Sequence, residues 1–205
     1  AESIVPESGS TSSPSGSSFT IDGLTITFSS DLTDTQQIIL NDLYTWWTNG
    51  SLNLINESYG LGFSSGSPSF TTMDLNFYTE TGGALAYVSS SIGNGERLAS
   101  SASLYINMYY YGEIAADDVN GESTVSGAGY LDRTLAHELT HAVQMARIGS
   151  LPTFFTEGLA ELTHGIDDER KSSLLSLAGD ANSLQTYINN ALSDDADLDS
   201  TGYAA

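Results

Sequence analysis

Alternating apolar and polar positions predict four β-strands in the first half of the chain. The stretch FTIDGLTITF alternates from Leu24 to Phe28 after an Asp22-Gly23 turn, a pattern typical of a strand. TTMDLNFYT and ALAYVSS, joined across ETGG, indicate a hairpin or two neighbouring strands. SASLYINMYYYG predicts a further strand, because apolar residues alternate with tyrosine and asparagine from Leu104 to Met108.

Apolar positions three and four residues apart predict helices elsewhere. DLTDTQQIILNDLYTWWTNG has this spacing, with Asp31 or Thr33 as its cap and Gly50 as its end. RTLAHELTHAVQM and FFTEGLAELTHG are two further helices, and DERKSSLLSLAG and SLQTYINNAL are short ones. Strands come mostly before helices, which favours an α+β domain.

The organisation of the chain follows from these elements. Residues 1–19 are rich in Ser, Gly and Pro and are predicted to be a flexible leader or linker. Residues 20–205 form one folded domain, with the sheet and the first histidine helix in 20–146 and the remaining helices in 147–205.

Charge and composition indicate which partners and which location to expect for this protein. The 26 acidic residues against 5 basic ones give a net charge of −21, which repels nucleic acid, so we expect no nucleic-acid partner. No apolar run approaches the roughly 20 residues that a membrane span needs, so membrane insertion is not expected. The chain has no cysteine, and its richness in Ser, Thr, Gly, Asn and Tyr favours an extracellular location.

The helix RTLAHELTHAVQM carries two of the three histidines of the chain. An apolar stripe runs along it from Leu131 to Ala146, and His137 and His141 project roughly 150° away from that stripe. Side chains at positions i and i+4 lie side by side, so both imidazoles can approach one zinc ion. Glu138 lies beside them, where it can act as a base on water without being a ligand.

A catalytic zinc site needs a third protein ligand, and the next helix offers three candidates. Glu157, Glu161 and His164 fall within about 40° of one another on one polar face. Glu157 is the predicted ligand, Glu161 would accept a ring N–H of a zinc histidine, and His164 is an alternative ligand. A metzincin is excluded, because Gln144 and Arg147 occupy the positions where that motif has Gly and His.

Three acidic stretches are candidates for calcium. AADDVNGE at 115–122 gathers carboxylates and an asparagine around a glycine but lacks the ligand spacing of an EF-hand. DDER at 167–170 and DDADLD at 194–199 are similarly acidic. Each is either a Ca²⁺ loop or an ordinary solvated acidic turn, and both interpretations stay open.

HELTH at 137–141 followed by TEGLAE at 156–161 resembles the gluzincin metallopeptidases. More narrowly, FFTEGLAELTHGIDDER and STGYAA are similar to the metallopeptidase domain of proteolytic flagellins (flagellinolysin), and more distantly to bacterial collagenases. The resemblance implies a zincin-type fold, in which a mixed sheet stands above the active-site helix and the C-terminal part is helical. The strand at 101–111 would then be the sheet edge beside the cleft.

The same resemblance assigns roles to residues. It makes Glu138 the catalytic glutamate, Glu157 the glutamate ligand and Glu161 the supporting acid, and it matches Tyr203 to the family tyrosine that stabilises the oxyanion. It implies a secreted or surface domain, excised from or part of a larger surface or flagellar filament protein.

We therefore predict a Zn²⁺-dependent endopeptidase that cleaves extracellular proteins or peptides. The alternative hypothesis is a non-catalytic surface or filament module in which the two helices hold a structural metal.

Overall fold

The computed structural model describes residues 14, 16–164, 179, 181, 182, 185, 186 and 189. The chain divides into two compact units, Ala1–Gly149 and Ser150–Ala205. The architecture is α+β with a mixed five-stranded sheet, which confirms the predicted class. Within the described residues, no helix combines the length and hydropathy needed to cross a bilayer.

All five strands belong to one sheet in the first unit. Its strand order is β1-β2-β3-β5-β4, in which β2, β3 and β5 run parallel and the two outer strands run antiparallel to their neighbours. The bounds are β1 Ser18–Ile21, β2 Leu24–Thr27, β3 Thr72–Tyr78, β4 Ala86–Ile92 and β5 Ala99–Asn107.

The Asp22-Gly23 turn joins β1 to β2 as a two-residue hairpin. Both turn residues have positive φ, 44° at Asp22 and 82° at Gly23, which suits the right-handed twist of the flanking strands. A Cβ at Gly23 would also lie 2.8 Å from the backbone of Phe63. The predicted strand after this turn is confirmed, and β1 begins at Ser18, inside the segment predicted as a linker.

Two expectations about strand order are wrong. β3 and β4 are neither a hairpin nor neighbours, because β5 lies between them, and β5 is therefore an inner strand instead of the sheet edge. The edge strand beside β5 is β4, and β1 is the edge strand on the other side of the sheet. The physical reason is burial, since β5 turns four apolar side chains into the core (Ala99, Ala102, Leu104 and Ile106), whereas β4 is mostly serine beyond Val88.

The first long helix extends beyond its predicted end. It comprises α1 Asp34–Asp42, a π-helical segment Leu43–Trp47 and α2 Thr48–Tyr59. Thr33 caps it in a capping box with Gln36. The prediction that Gly50 ends the helix is wrong, because the apolar stripe continues through buried Leu52 and Ile55 and the left-handed cap is Gly60.

Three further helices have defined bounds in the described part of the chain, namely α3 Met108–Tyr111, α4 Leu131–Arg147 and α5 Thr153–His164. α3 replaces the end of a predicted strand, because the Asn107 side chain accepts the N–H of Tyr109 and starts a helical turn there. α4 packs against α2 and against β4 and β5. The five stripe residues predicted from the sequence are fully buried: Leu131, Leu135, Leu139, Ala142 and Ala146.

Asn107 is a buried polar residue with all of its bonding capacity in use. Its Oδ1 accepts the N–H groups of Glu80 (3.0 Å) and Tyr109 (3.1 Å), and its Nδ2 donates to the carbonyls of Glu80 (2.8 Å) and Ala84 (3.0 Å). It therefore holds the loop before β4 to the end of β5.

We expect Asn107→Ala to lower the free energy of unfolding by about 2–4 kcal/mol, because it leaves several buried backbone groups without partners. Chemical denaturation measures the change. Asn76→Ala on β3 is the matched control, since Asn76 is only half-buried, and it should cost less than about 1 kcal/mol. Equal losses in the two variants would contradict this role for Asn107.

Candidate metal centre

Helix α4 is anchored at its N-terminus by backbone instead of by a capping side chain. Its cap residue, Tyr130, makes no side-chain capping bond. The N–H groups of Leu131 and Asp132 donate to the carbonyls of Gly121 (3.0 Å) and Asn120 (3.2 Å). The loop at 115–122 thus satisfies donors that a helix start leaves without partners.

This loop is the described stretch that was a candidate for calcium. The Asp118 carboxylate accepts the N–H groups of Asn120, Gly121 and Glu122, so both of its oxygens bind the loop itself. The indole of Trp47 donates to the carbonyl of Val119 at 2.8 Å. The acidic residue therefore shapes a loop that supports α4, which gives Asp118 a structural role. The other two candidates, at 167–170 and 194–199, lie outside the described residues.

Asp42 at the end of α1 is coupled to this loop electrostatically. Burial, and then the negative charge of Asp118, raise its pKa from 3.8 to about 6. Its Oδ2 is buried and has no hydrogen-bond partner within the described part of the chain. The folded state therefore binds a proton at Asp42 more tightly than the unfolded state does.

This raised pKa predicts a pH-dependent stability. The stability conferred by protonated Asp42 is present below about pH 4 and is lost as the pH rises through about 6. Asp42→Asn should therefore raise the free energy of unfolding at pH 8 by about 1–2 kcal/mol, with solvent screening allowed for, and change it little at pH 4. Denaturant titrations at both pH values measure this, with exposed Asp31→Asn as the control. A gain that does not depend on pH would refute it.

His137 and His141 lie on adjacent turns of α4, on the side away from its buried stripe. Their ring centroids are 4.7 Å apart and the ring planes meet at 85°. Both side chains are half-buried. One rigid helix therefore places two imidazoles next to each other, as predicted, and imidazole is a ligand that suits zinc.

Glu138 is buried, at 8% exposure, and its carboxylate is held by the sheet. Its Oε2 accepts the backbone N–H of Val88 at 2.8 Å. In the antiparallel β4–β5 ladder, the N–H of Asn107 donates to the carbonyl of Leu85, and hydrogen-bonded and non-hydrogen-bonded residue pairs alternate from there. Val88 belongs to a non-hydrogen-bonded pair, so its N–H points away from β5 and towards the outer edge of β4. An edge strand thereby fixes the orientation of the predicted base.

The hydrogen bond from Val88 to Glu138 is the contact at the candidate site that reasoning from the sequence missed. Val88 contributes only its main chain, so its side chain carries no signal. Its role depends on β4 being the edge strand and on which of its N–H groups face outward, and neither is encoded locally.

The contact predicts unusual protection at a sheet edge. The Val88 amide should exchange slowly with deuterium in the wild type and at least tenfold faster in Glu138→Ala, because that variant removes its acceptor. Residue-resolved hydrogen exchange checks this. The Ser90 amide, at the same edge, is the internal control and should not change. Equal exchange of Val88 in both proteins would contradict the contact.

The predicted carboxylate ligands lie on α5, in the second unit. Glu161 is 3% exposed, and its Oε2 is 3.2 Å from Nε2 of His164. Glu157 and His164 are half-buried. The helix exposes apolar side chains instead, since Phe155 is 47% and Leu162 66% exposed. On this helix the carboxylate of Glu161 is thus more buried than the apolar side chains of Phe155 and Leu162.

These residues define the donors available to a metal. The first unit offers His137 and His141 as donors, and the second unit offers Glu157, Glu161 and His164. Two imidazoles and one carboxylate are a ligand set that fits catalytic zinc. Tyr203, the predicted oxyanion donor, lies outside the described residues.

No protein-family model matches the chain, and comparisons with curated proteins and with solved structures likewise find no match. The gluzincin resemblance therefore stays a prediction from the sequence motifs.

Proposed function

We propose that this protein is a zinc-dependent endopeptidase of the gluzincin type, with His137, His141 and Glu157 as metal ligands. The proposed substrates are extracellular proteins or peptides, and the proposed setting is a secreted, surface or flagellar filament protein. The finer assignment to a zincin-type fold is part of the same proposal.

The observation that carries the proposal is the state of Glu138. This carboxylate lies between two half-buried histidines on one helix and is fixed by the N–H of Val88 at 2.8 Å. A purely structural metal site has no use for a buried and oriented carboxylate that is not a ligand. A hydrolytic site requires one, because water must lose a proton as it attacks a carbonyl.

The proposal gives each of these side chains a role. Zinc, when bound, would act as a Lewis acid and bring the pKa of a coordinated water near 7. Glu138 takes the proton of the attacking water and delivers it to the departing amine. Glu161 accepts a ring N–H of a histidine and so fixes the orientation of that imidazole, as it contacts His164 here. Tyr203 is the proposed hydrogen-bond donor to the oxyanion.

The test is Glu138→Gln, which preserves shape and removes the base. We expect zinc content to stay at the wild-type level and peptide cleavage to fall at least 10²-fold. Metal analysis and mass-spectrometric profiling on a peptide library measure both quantities. Glu57→Gln, at an exposed position on α2, is the matched control and should change neither.

Glu157→Gln separates the ligand from the base, because it should lower zinc content together with cleavage. A wild-type protein that binds zinc but cleaves no peptide would favour the structural-metal module. A wild-type protein that binds no zinc would overturn both functions.

A further inference from the structure

A cleft of about 710 Å³ lies in the first unit, where the start of β5 meets the C-terminal end of α4. It is separate from the histidine pair, since Arg147 follows His141 by six residues, or about 9 Å along the helix. The lining that matters here comprises Ser69, Glu96, Arg97, Leu98, Arg147 and Ile148.

Hydrogen bonds through Ser69 hold the walls of this cleft together. The hydroxyl of Ser69 bonds to the carbonyl of Ala99 at the start of β5 and to that of Ala146 on α4, and its N–H donates to Ala146 at 3.0 Å. At the other side, Gly149, with φ 91°, lies so close to the carbonyl of Arg97 that a Cβ would clash. The cleft is thus formed by joined segments of the fold.

Arg147 is fixed in place by the neighbouring loop. Its Nη1 donates to the carbonyl of Gly62 at 3.1 Å, and its guanidinium lies against Gly66, where a side chain would collide with it. Arg147 is half-buried and Arg97 is exposed. One guanidinium is therefore already oriented, which lowers the entropy that a ligand would have to remove.

The charges at this cleft stand out from the rest of the chain. The protein has 5 basic residues against 26 acidic ones, and two of those five line the cleft. Within the described part of the chain, neither Arg97 nor Arg147 forms an ion pair with a carboxylate. The lining of the cleft thus carries two positive charges against the one negative charge of Glu96, the reverse of the balance in the whole chain.

We propose that this cleft binds a carboxylate carried on an apolar body, such as the C-terminal residue of a polypeptide. The planar fork of a guanidinium matches a carboxylate in two parallel hydrogen bonds. Leu98 and Ile148 offer apolar contact beside it, and Glu96 disfavours a dianion such as phosphate. The proposal does not depend on the peptidase function.

The probe is N-acetyl-leucine, titrated into the isotope-labelled full chain while amide chemical shifts are recorded. We expect saturable shifts centred on Ser69, Leu98 and Ile148, with none for N-acetyl-leucinamide, which lacks the charge. N-acetyl-aspartate α-methylamide tests the other source of a carboxylate, an acidic side chain, and should bind at least tenfold more weakly because it lacks the apolar body.

Variants test the two arginines separately. Arg97→Ala should raise the dissociation constant at least tenfold, and Arg147→Lys, which keeps the charge but loses the fork, should also raise it. Arg133→Ala is the matched control, because it removes the same charge from the other end of α4, where the guanidinium lies 5.0 Å from the Tyr130 ring. Unchanged binding by Arg97→Ala, equal binding of the amide, or shifts confined to His137 and His141 would each overturn the proposal.

Discussion

The burial of one face of α4 is the constraint on which the candidate site depends. Its stripe from Leu131 to Ala146 has no exposed surface, and each buried leucine contributes about 2 kcal/mol through the loss of contact with water. Because a helix is rigid, fixing one face fixes the other. The histidines and Glu138 are therefore oriented by residues on the opposite face of the helix. The backbone bonds from the loop at 115–122 stop the helix from fraying at its start.

Structural features that depend only on residues close together in the sequence could be predicted. The Asp22-Gly23 hairpin needs two residues with positive φ, and the sequence supplies residues that tolerate it. The α4 stripe and the His137–His141 pair follow from helical periodicity alone. The same holds for the polar grouping of Glu157, Glu161 and His164. Local geometry therefore predicts much of the donor set.

Features that depend on distant segments could not be predicted. Strand order depends on which strand buries more apolar side chains, and β5 therefore occupies the inner position while β4 lies at the edge. Glycine disfavours the interior of a helix, but at Gly50 the burial of Leu52 and Ile55 beyond it outweighs this low helix propensity. Val88 and the arginine cleft depend on where β4 and β5 lie in the sheet. Periodicity also could not show that Glu161 on α5 is buried while Leu162 is exposed, because a periodic pattern identifies the two faces of a helix but not which of them is covered.

The position of β4 has a consequence for the order in which the chain is assembled. β4 pairs with a single strand, β5, which is synthesised after it, and the carboxylate that binds Val88 lies on Glu138, 50 residues after Val88. During synthesis, β4 therefore emerges before β5, with which it pairs, and before α4, which carries Glu138. Parallel β2 and β3 can pair before it. The strand that fixes Glu138 therefore joins the sheet only after β5 has been synthesised, and its contact with Glu138 forms only after α4 has followed.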